Sequence, residues 1–395
     1  MKVLMLTPYL PFPPLSGGQT RSYNLIKNLS KHHEITLFSL IKDDSEKKYV
    51  KELEKYCKKV RVFKRSKSPW TLRNILLTGF SQYPFLVIRN LVPEEKRAVE
   101  QELKKEKYDL IHAECFYVMP HIPKTNIPIL MVEQTIEYSV YKHFVEDQAP
   151  FLIRPLLWLD VLKLKHWETT IWKSADKVVA MSDSDKKAMT GLVPGLNIDI
   201  VPNGIDIEYF SREQKETQDH PKVLYVGNFK WLQNVEAVDL LIDEVWPKMK
   251  KAIPNLKLWI VGMNITDGIK EKAVGDIEIT EAIPDIRDAY SSATVLVTPI
   301  KGPGGTRLKI LEAMASGMPI ATTSVGAEGL EVTNGEQMLI SDDMDELANK
   351  AVQIIKDKEL AKKLGNNARK FVREKFSWEI SANALDKIYK EATKK

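Results

Sequence analysis

Thr298-Pro-Ile-Lys-Gly-Pro-Gly-Gly-Thr-Arg-Leu-Lys-Ile-Leu-Glu-Ala-Met-Ala-Ser-Gly-Met-Pro-Ile320 decides the fold class of this 395-residue chain. An apolar, β-branched run, Val295–Thr298, leads into a glycine loop. Helical spacing follows, and Gly-x-Pro then turns the chain into a second β-rich run, Ile320–Thr323. Strand, loop, helix and strand in that order form the unit of a parallel sheet covered by helices. The loop ends where the helix begins, so the backbone N–H groups of Gly304, Gly305 and Thr306 suit phosphate oxygens. Arg307 and Lys309 add positive charge there, and an arginine can grip phosphate with two parallel hydrogen bonds. Glu312 lies further along the same helix, and a carboxylate is the natural acceptor for the vicinal hydroxyls of a ribose.

Working outward, the same alternation fills the chain. Val3–Thr7, Glu34–Leu40, Val60–Phe63, Leu110–Ala113, Ile127–Val132, Val178–Met181 and Ile198–Val201 read as strands. Helical periodicity marks the stretches Gln19–Leu29, Pro93–Lys107 and Phe151–Lys173 between them. A second set follows at Lys222–Val226, Lys257–Val261, Asp276–Ile279, Val295–Thr298, Ile320–Thr323 and Gln337–Ile340. Two successive sets imply two doubly wound α/β domains, and the chain is long enough for both. Turn chemistry at Pro202-Asn-Gly204 marks the break between them. The expected division is 1–204, 205–375 and a terminal helical segment 376–395. Near the start, Pro14-Leu-Ser-Gly-Gly-Gln-Thr-Arg21 follows the first strand and opens a helix, so Gly17 and Gly18 are candidates for close approach by an anionic ligand.

Composition narrows the class. Two cysteines, Cys57 and Cys115, make no disulfide framework and have no metal-like spacing. The short apolar run at the N-terminus reads as a strand rather than a signal peptide, and no stretch approaches the roughly 20 apolar residues a membrane span needs. A cytoplasmic protein, peripheral at most on the inner face of the cell membrane, is the expectation. From Lys55 to Pro93 the chain holds Lys55, Lys58, Lys59, Arg61, Lys64, Arg65, Lys67, Arg73 and Arg89 but no acid, with Phe63, Trp70, Phe80, Tyr83 and Phe85 interleaved. Such a stretch suits an anionic membrane surface or a solvated edge over core residues. It lacks any nucleic-acid-binding module, so no nucleic acid is expected as partner. Asp183-Ser-Asp185 has the spacing of a metal-binding pair but reads as a helix cap, and no metal set stands out.

The string Thr306–Pro319, followed by Val325-Gly-Ala-Glu-Gly-Leu330, resembles the donor-binding region of glycosyltransferase family 4, also called group 1. The resemblance takes in the glycine pair 17–18, Ser174-Ala-Asp-Lys-Val-Val-Ala-Met-Ser182, Val201-Pro-Asn-Gly-Ile-Asp206, Tyr225-Val-Gly-Asn-Phe-Lys-Trp231 and Phe376-Ser-Trp378. It implies the GT-B fold, in which two Rossmann-like domains face each other across a cleft and the last helix returns to the first. It also implies a retaining transfer from a nucleotide-sugar to a glycan or lipid-linked acceptor, as in cell-envelope polysaccharide assembly, with no metal or other cofactor required.

Several positions depart from the family pattern. The first of the family's paired acids falls on Gly304, while Glu312 matches the second. Asn228 and Asn234 stand near places that usually hold an arginine and a lysine, so Lys230, Arg307 and Lys309 are expected to supply the missing charge. Asp109-Leu-Ile-His-Ala-Glu114 keeps His112, a candidate sugar contact, and puts Glu114 where a functional histidine is usual. Glu133-Gln-Thr-Ile-Glu137 offers Glu133 and Glu137 on the acceptor side. A dehydrogenase is excluded, because neither glycine cluster has the Gly-x-Gly-x-x-Gly spacing. A nucleotide-sugar epimerase and a catalytically silent sugar-nucleotide-binding subunit remain as rivals.

Overall fold

The computed structural model describes residues 1–211, 220–302 and 308–394. The chain divides into two compact units, Met1–Pro202 with Trp378–Lys395, and Asn203–Ser377. Each is built on one parallel sheet. Every strand expected from the sequence forms, with ends shifted by at most two residues.

The first unit holds β1 (Lys2–Thr7), β2 (Glu34–Ile41), β3 (Lys59–Lys64), β4 (Leu110–Glu114), β5 (Ile129–Glu133), β6 (Lys177–Ala180) and β7 (Ile198–Ile200), in the order β3-β2-β1-β4-β5-β6-β7. Its strands are apolar almost throughout because both faces are covered. Along β1, Val3 and Met5 enter one core cluster while Leu4 and Leu6 enter the other, as the two-residue period requires. The helix Gly17–Leu29 starts two residues earlier than its apolar pattern, because Ser16 caps it through Gln19 N–H. The helix Arg154–Ser174 carries a proline in its first turn, which sets its start three residues after the expected Phe151. The last helix, Trp378–Ala392, packs on Gly17–Leu29 and sends Leu385, Ile388 and Tyr389 into the Val3–Met5 core. Burying such side chains stabilises by about 1.5–3 kcal/mol each, which holds the terminal helix to this unit.

The second unit holds β8 (Lys222–Asn228), β9 (Lys257–Met263), β10 (Ile277–Glu281), β11 (Val295–Thr298), β12 (Ile320–Thr322) and β13 (Leu339–Ile340), in the order β10-β9-β8-β11-β12-β13. Tyr225 and Leu224 again point to opposite cores. Gly262 is required here, because a Cβ would lie 1.8 Å from the Gly227 carbonyl oxygen. Gly317, at φ +69°, ends the helix Leu308–Ser316 in the left-handed conformation that glycine adopts without strain.

The expected basic face is not a face of bare cations. Lys58 pairs with Glu34 at 2.8 Å, Lys59 with Glu102 and Lys64 with Asp44 at 2.5 Å each, and Arg65 donates to Asn90. The acids come from β2, from the turn after it and from the helix Pro93–Lys105. A sequence stretch free of acids therefore folds into a surface where neighbouring elements supply them.

Candidate functional site

In open α/β sheets ligands bind beyond the carboxyl ends of the strands, where the strand order reverses. In the second unit β8 lies between β9 and β11, so that point falls between β8 and β11. Asn228 ends β8 and Thr298 ends β11. Lys309, in the first turn of Leu308–Ser316, sends its ammonium to Asn234 Oδ1 at 2.6 Å and to the Tyr225 hydroxyl at 3.0 Å. It also lies 4.2 Å from the centre of the Tyr225 ring, a cation–π contact. Asn234 donates in turn to the Asn228 carbonyl at 2.7 Å. The cation from the Leu308–Ser316 helix is thus held by neutral acceptors at the strand end where the sequence left only asparagines. Glu312, one turn on, accepts from the Tyr290 hydroxyl at 2.7 Å. Burial raises the pKa of its carboxyl, against the opposing hydrogen bond from Tyr290 and charge of Lys309. Lys230 is exposed, with its backbone N–H on Asn228 Oδ1. Gly304, Gly305, Thr306 and Arg307 lie outside the described residues.

In the first unit the reversal falls between β1 and β4. The Gly17–Gly18 helix start follows β1, and Glu114 ends β4. This point is filled by the protein's own groups. Glu114 is 1% exposed, accepts from His112 and from the Gln134 amide, and faces the Arg21 guanidinium at 3.7 Å. Burial alone would raise its pKa, but the His112 hydrogen bond and charge, with Arg21 and Gln134, more than offset that and hold it below the usual carboxylate value. Gln134 also donates to the Tyr9 hydroxyl at 2.7 Å, and a Cβ at Gly18 would meet both of those side chains at 2.6 Å. Gly18 is small because Tyr9 and Gln134 pack against it, a reason the sequence did not show.

His112 is fully buried with both ring nitrogens engaged, one by Glu114 and the other by the Tyr389 hydroxyl of the last helix. The sequence expectation of a sugar contact falls on a ring that is held between Glu114 and Tyr389. Cys115, directly after Glu114, sits at φ 70° and ψ 149°, a strained conformation costing on the order of 1–3 kcal/mol outside glycine.

Glu133, at the end of β5, is buried and accepts from the Trp172 indole at 2.7 Å. Burial and the neighbouring Glu168 carboxylate push its pKa well up. Glu168 accepts from the backbone N–H groups of Glu137 and Tyr138 at 2.8 and 3.0 Å, so it caps the helix Glu137–Asp147 from a distant helix. Glu137 is the part-exposed member of the group, and burial raises its carboxyl to about 7 against the opposing charge of Arg89. In Asp183-Ser-Asp185 the cap is Ser182, whose side chain accepts from Asp185 N–H, and both aspartates occupy the first turn. Among the described residues no group of three or more His, Cys, Asp or Glu is placed to hold a metal ion.

Two family profiles cover most of the chain, one described as Glycosyltransferase Family 4 over residues 15–209 and one as Glycosyl transferases group 1 over residues 220–357. The chain belongs to glycosyltransferase family 4. It is a nucleotide-sugar-dependent glycosyltransferase of the GT-B fold class. An uncharacterized 44.6 kDa protein in the cps region of Klebsiella pneumoniae is 24% identical, with 99% of each chain aligned. The capsular polysaccharide biosynthesis glycosyltransferase CapM of Staphylococcus aureus is 27% identical over 47% of this chain and 52% of its own length. The sucrose-phosphate synthase of Thermosynechococcus elongatus superposes with a TM-score of 0.73 at 20% identity, covering 99% of both chains. Anabaena HepE, solved with UDP-glucose, gives 0.70 at 15% identity over 99% of this chain and 100% of that one.

Sequence reasoning missed Arg21, Gln134, Glu168, Tyr225, Tyr290 and Tyr389 as members of these clusters. Arg21, Gln134 and Tyr225 stood inside quoted motifs, so position in the motif was the available signal. Glu168 and Tyr389 come from far along the chain and carried none.

Proposed function

We propose that this glycosyltransferase binds its nucleotide-sugar through the second unit and transfers the sugar with retention of configuration to a glycan or lipid-linked acceptor. The observation that carries this reading is Lys309 at the β8–β11 reversal point with Glu312 one turn along the same helix. Lys309 would face the diphosphate and Glu312 the ribose. The amides of Gly304, Gly305 and Thr306, with Arg307, are assigned to the same diphosphate from their sequence alone.

As the bond from the anomeric carbon to the phosphate oxygen breaks, negative charge grows on the leaving diphosphate and positive charge on the sugar ring. Fixed cations at the phosphate then stabilise the transition state more than the bound ground state. With side-chain cations in that role the transfer needs no metal. The acceptor hydroxyl attacks from the same face, and its proton passes to the departing phosphate. On the acceptor side Glu137 is the best placed of the sequence candidates, because the residue is part-exposed and its carboxyl, raised to about 7, is half-protonated near pH 7 and can give or take a proton. The capsular relative and the UDP-glucose complex of HepE favour a UDP-sugar donor and an envelope glycan acceptor, met at the cytoplasmic face.

The test is turnover by purified protein across UDP-, GDP- and ADP-sugars, read as nucleotide release. Lys309→Ala is expected to lower kcat by about 10²–10³-fold, the usual loss for one preorganised transition-state donor. An unchanged kcat in that variant contradicts the assignment of Lys309.

A further inference from the structure

Part of the Lys55–Pro93 stretch and part of a later helix share an unusual surface. On the helix Leu72–Phe80 the side chains of Leu72, Leu76 and Phe80 recur at helical spacing and point outward, Phe80 being 91% exposed. Leu152, 90% exposed, and Leu156 and Leu159 form a second outward stripe, running from the turn before Arg154–Ser174 along its first half. The two elements are fastened side by side. The Lys163 ammonium donates to the carbonyls of Thr78 and Ser81 at 2.6 and 2.8 Å, and Phe85 N–H donates to Asp160 Oδ1 at 2.9 Å. Soluble monomers rarely leave a contiguous apolar patch of this kind uncovered.

Charge selects the occupant. The stretch Lys55–Pro93 has no acid, and the one acid between Gln148 and Lys165, Asp160, is buried under Phe85. Of the cations on the two segments Arg73 is exposed, while Arg154 donates to the Ala149 carbonyl and Lys165 lies over the Tyr138 ring. The exposed acids just before the second segment, Glu146 and Asp147, face Lys142 and His143. A second copy docked by a two-fold axis would set these cations against their own copies, which like-charge repulsion penalises. An anionic bilayer meets both features, taking the leucines and phenylalanine into the acyl boundary and Arg73 with its neighbouring cations to its headgroups.

We propose that the Leu72–Phe80 helix and the start of Arg154–Ser174 together form a membrane-docking surface that inserts apolar side chains into an anionic bilayer. Lys58, just before β3, and Lys64, at its end, are not its anchor, since they are paired with Glu34 and Asp44. The proposal stands apart from the donor assignment, because its readout does not use nucleotide or turnover.

The experiment is co-sedimentation of the full chain with vesicles of 70% phosphatidylcholine and 30% phosphatidylglycerol. The wild type is expected in the pellet, and Phe80→Ser combined with Leu152→Ser is expected to lower partitioning by about tenfold or more. Leu72→Ser with Leu156→Ser, an independent pair on the same surface, should act alike. Both pairs should keep the wild-type melting temperature, because the removed side chains are exposed. Lys58→Gln with Lys64→Gln should leave partitioning within about twofold. A wild type that stays in the supernatant overturns the proposal, as does equal binding by the serine variants. A chain that ignores vesicles but forms a dimer split by those serines would assign the patch to a second copy instead.

Discussion

The two sheets reverse their strand order in the same way, yet their reversal points are furnished oppositely. At β1–β4 buried polar side chains bond to one another: Glu114 to His112 and Gln134, with Arg21 beside it, and His112 to Tyr389. At β8–β11 the Lys309 ammonium meets Asn234 and Tyr225, and its charge also acts on Glu312, whose carboxyl accepts from the Tyr290 hydroxyl. The first arrangement joins a buried acid to buried donors; the second sets a cation and a carboxyl one turn apart on a single helix. A reversal point in a doubly wound sheet is thus no ligand site by topology alone, and the balance of its polar groups decides.

The largest effect that could break this comparison is at Glu114. Glu114→Gln leaves Arg21 buried without its anionic partner and is expected to cost about 3–5 kcal/mol of stability in chemical denaturation. If the variant stays as stable as the wild type while turnover collapses, Glu114 is a catalytic group and the contrast drawn above is wrong. Gly18→Ala comes next. Its Cβ would meet Tyr9 and Gln134 at 2.6 Å, and overpacking of that kind costs about 1–3 kcal/mol. A neutral result would mean that the Gln134 amide and the Tyr9 hydroxyl swing aside and that this packing does not fix the shape of the point. Tyr389→Phe removes one hydrogen bond to His112, so a loss of about 1 kcal/mol is expected, with nucleotide binding intact.

The smallest effect is a slope. Glu137 has a folded pKa of about 7 against an ordinary value near 4.5, so the native state holds its proton more tightly than the unfolded chain. Its contribution to stability is complete below the lower value and is lost as pH rises toward 7. Glu137→Gln should therefore flatten the fall in stability between about pH 4.5 and 7, measured by denaturant titration at several pH values. An unaltered slope would show that Glu137 titrates normally and lies open to solvent.

Strands were legible because buried parallel strands are apolar runs, as β1, β2, β5 and β11 are, while β3 and β10 show the two-residue alternation of half-covered strands. Lys309 and Glu312 were legible because they share one helix with the glycine loop. The closure of the first reversal point was not, since His112 meets Tyr389 across most of the chain and no local pattern marks that pairing. The basic stretch misled for a related reason. Sequence proximity showed Lys58, Lys59 and Lys64 together, while their partners Glu34, Glu102 and Asp44 arrive from other elements. Nor could spacing tell the inward Phe63 from the outward Phe80, both aromatic residues in one acid-free run.

The central claim is that the nucleotide is held by the second unit through Lys309 and Glu312, and nucleotide-induced thermal stabilisation tests it most directly. A ligand that binds only the folded state at about 100 times its Kd stabilises by about 2.7 kcal/mol, a readily measured rise in Tm. The wild type is expected to show that rise with a nucleoside diphosphate, and Lys309→Ala and Glu312→Ala are each expected to lose most of it while Tyr389→Phe keeps it. A rise that survives unchanged in both of the first two variants, or disappears with Tyr389→Phe instead, contradicts the account.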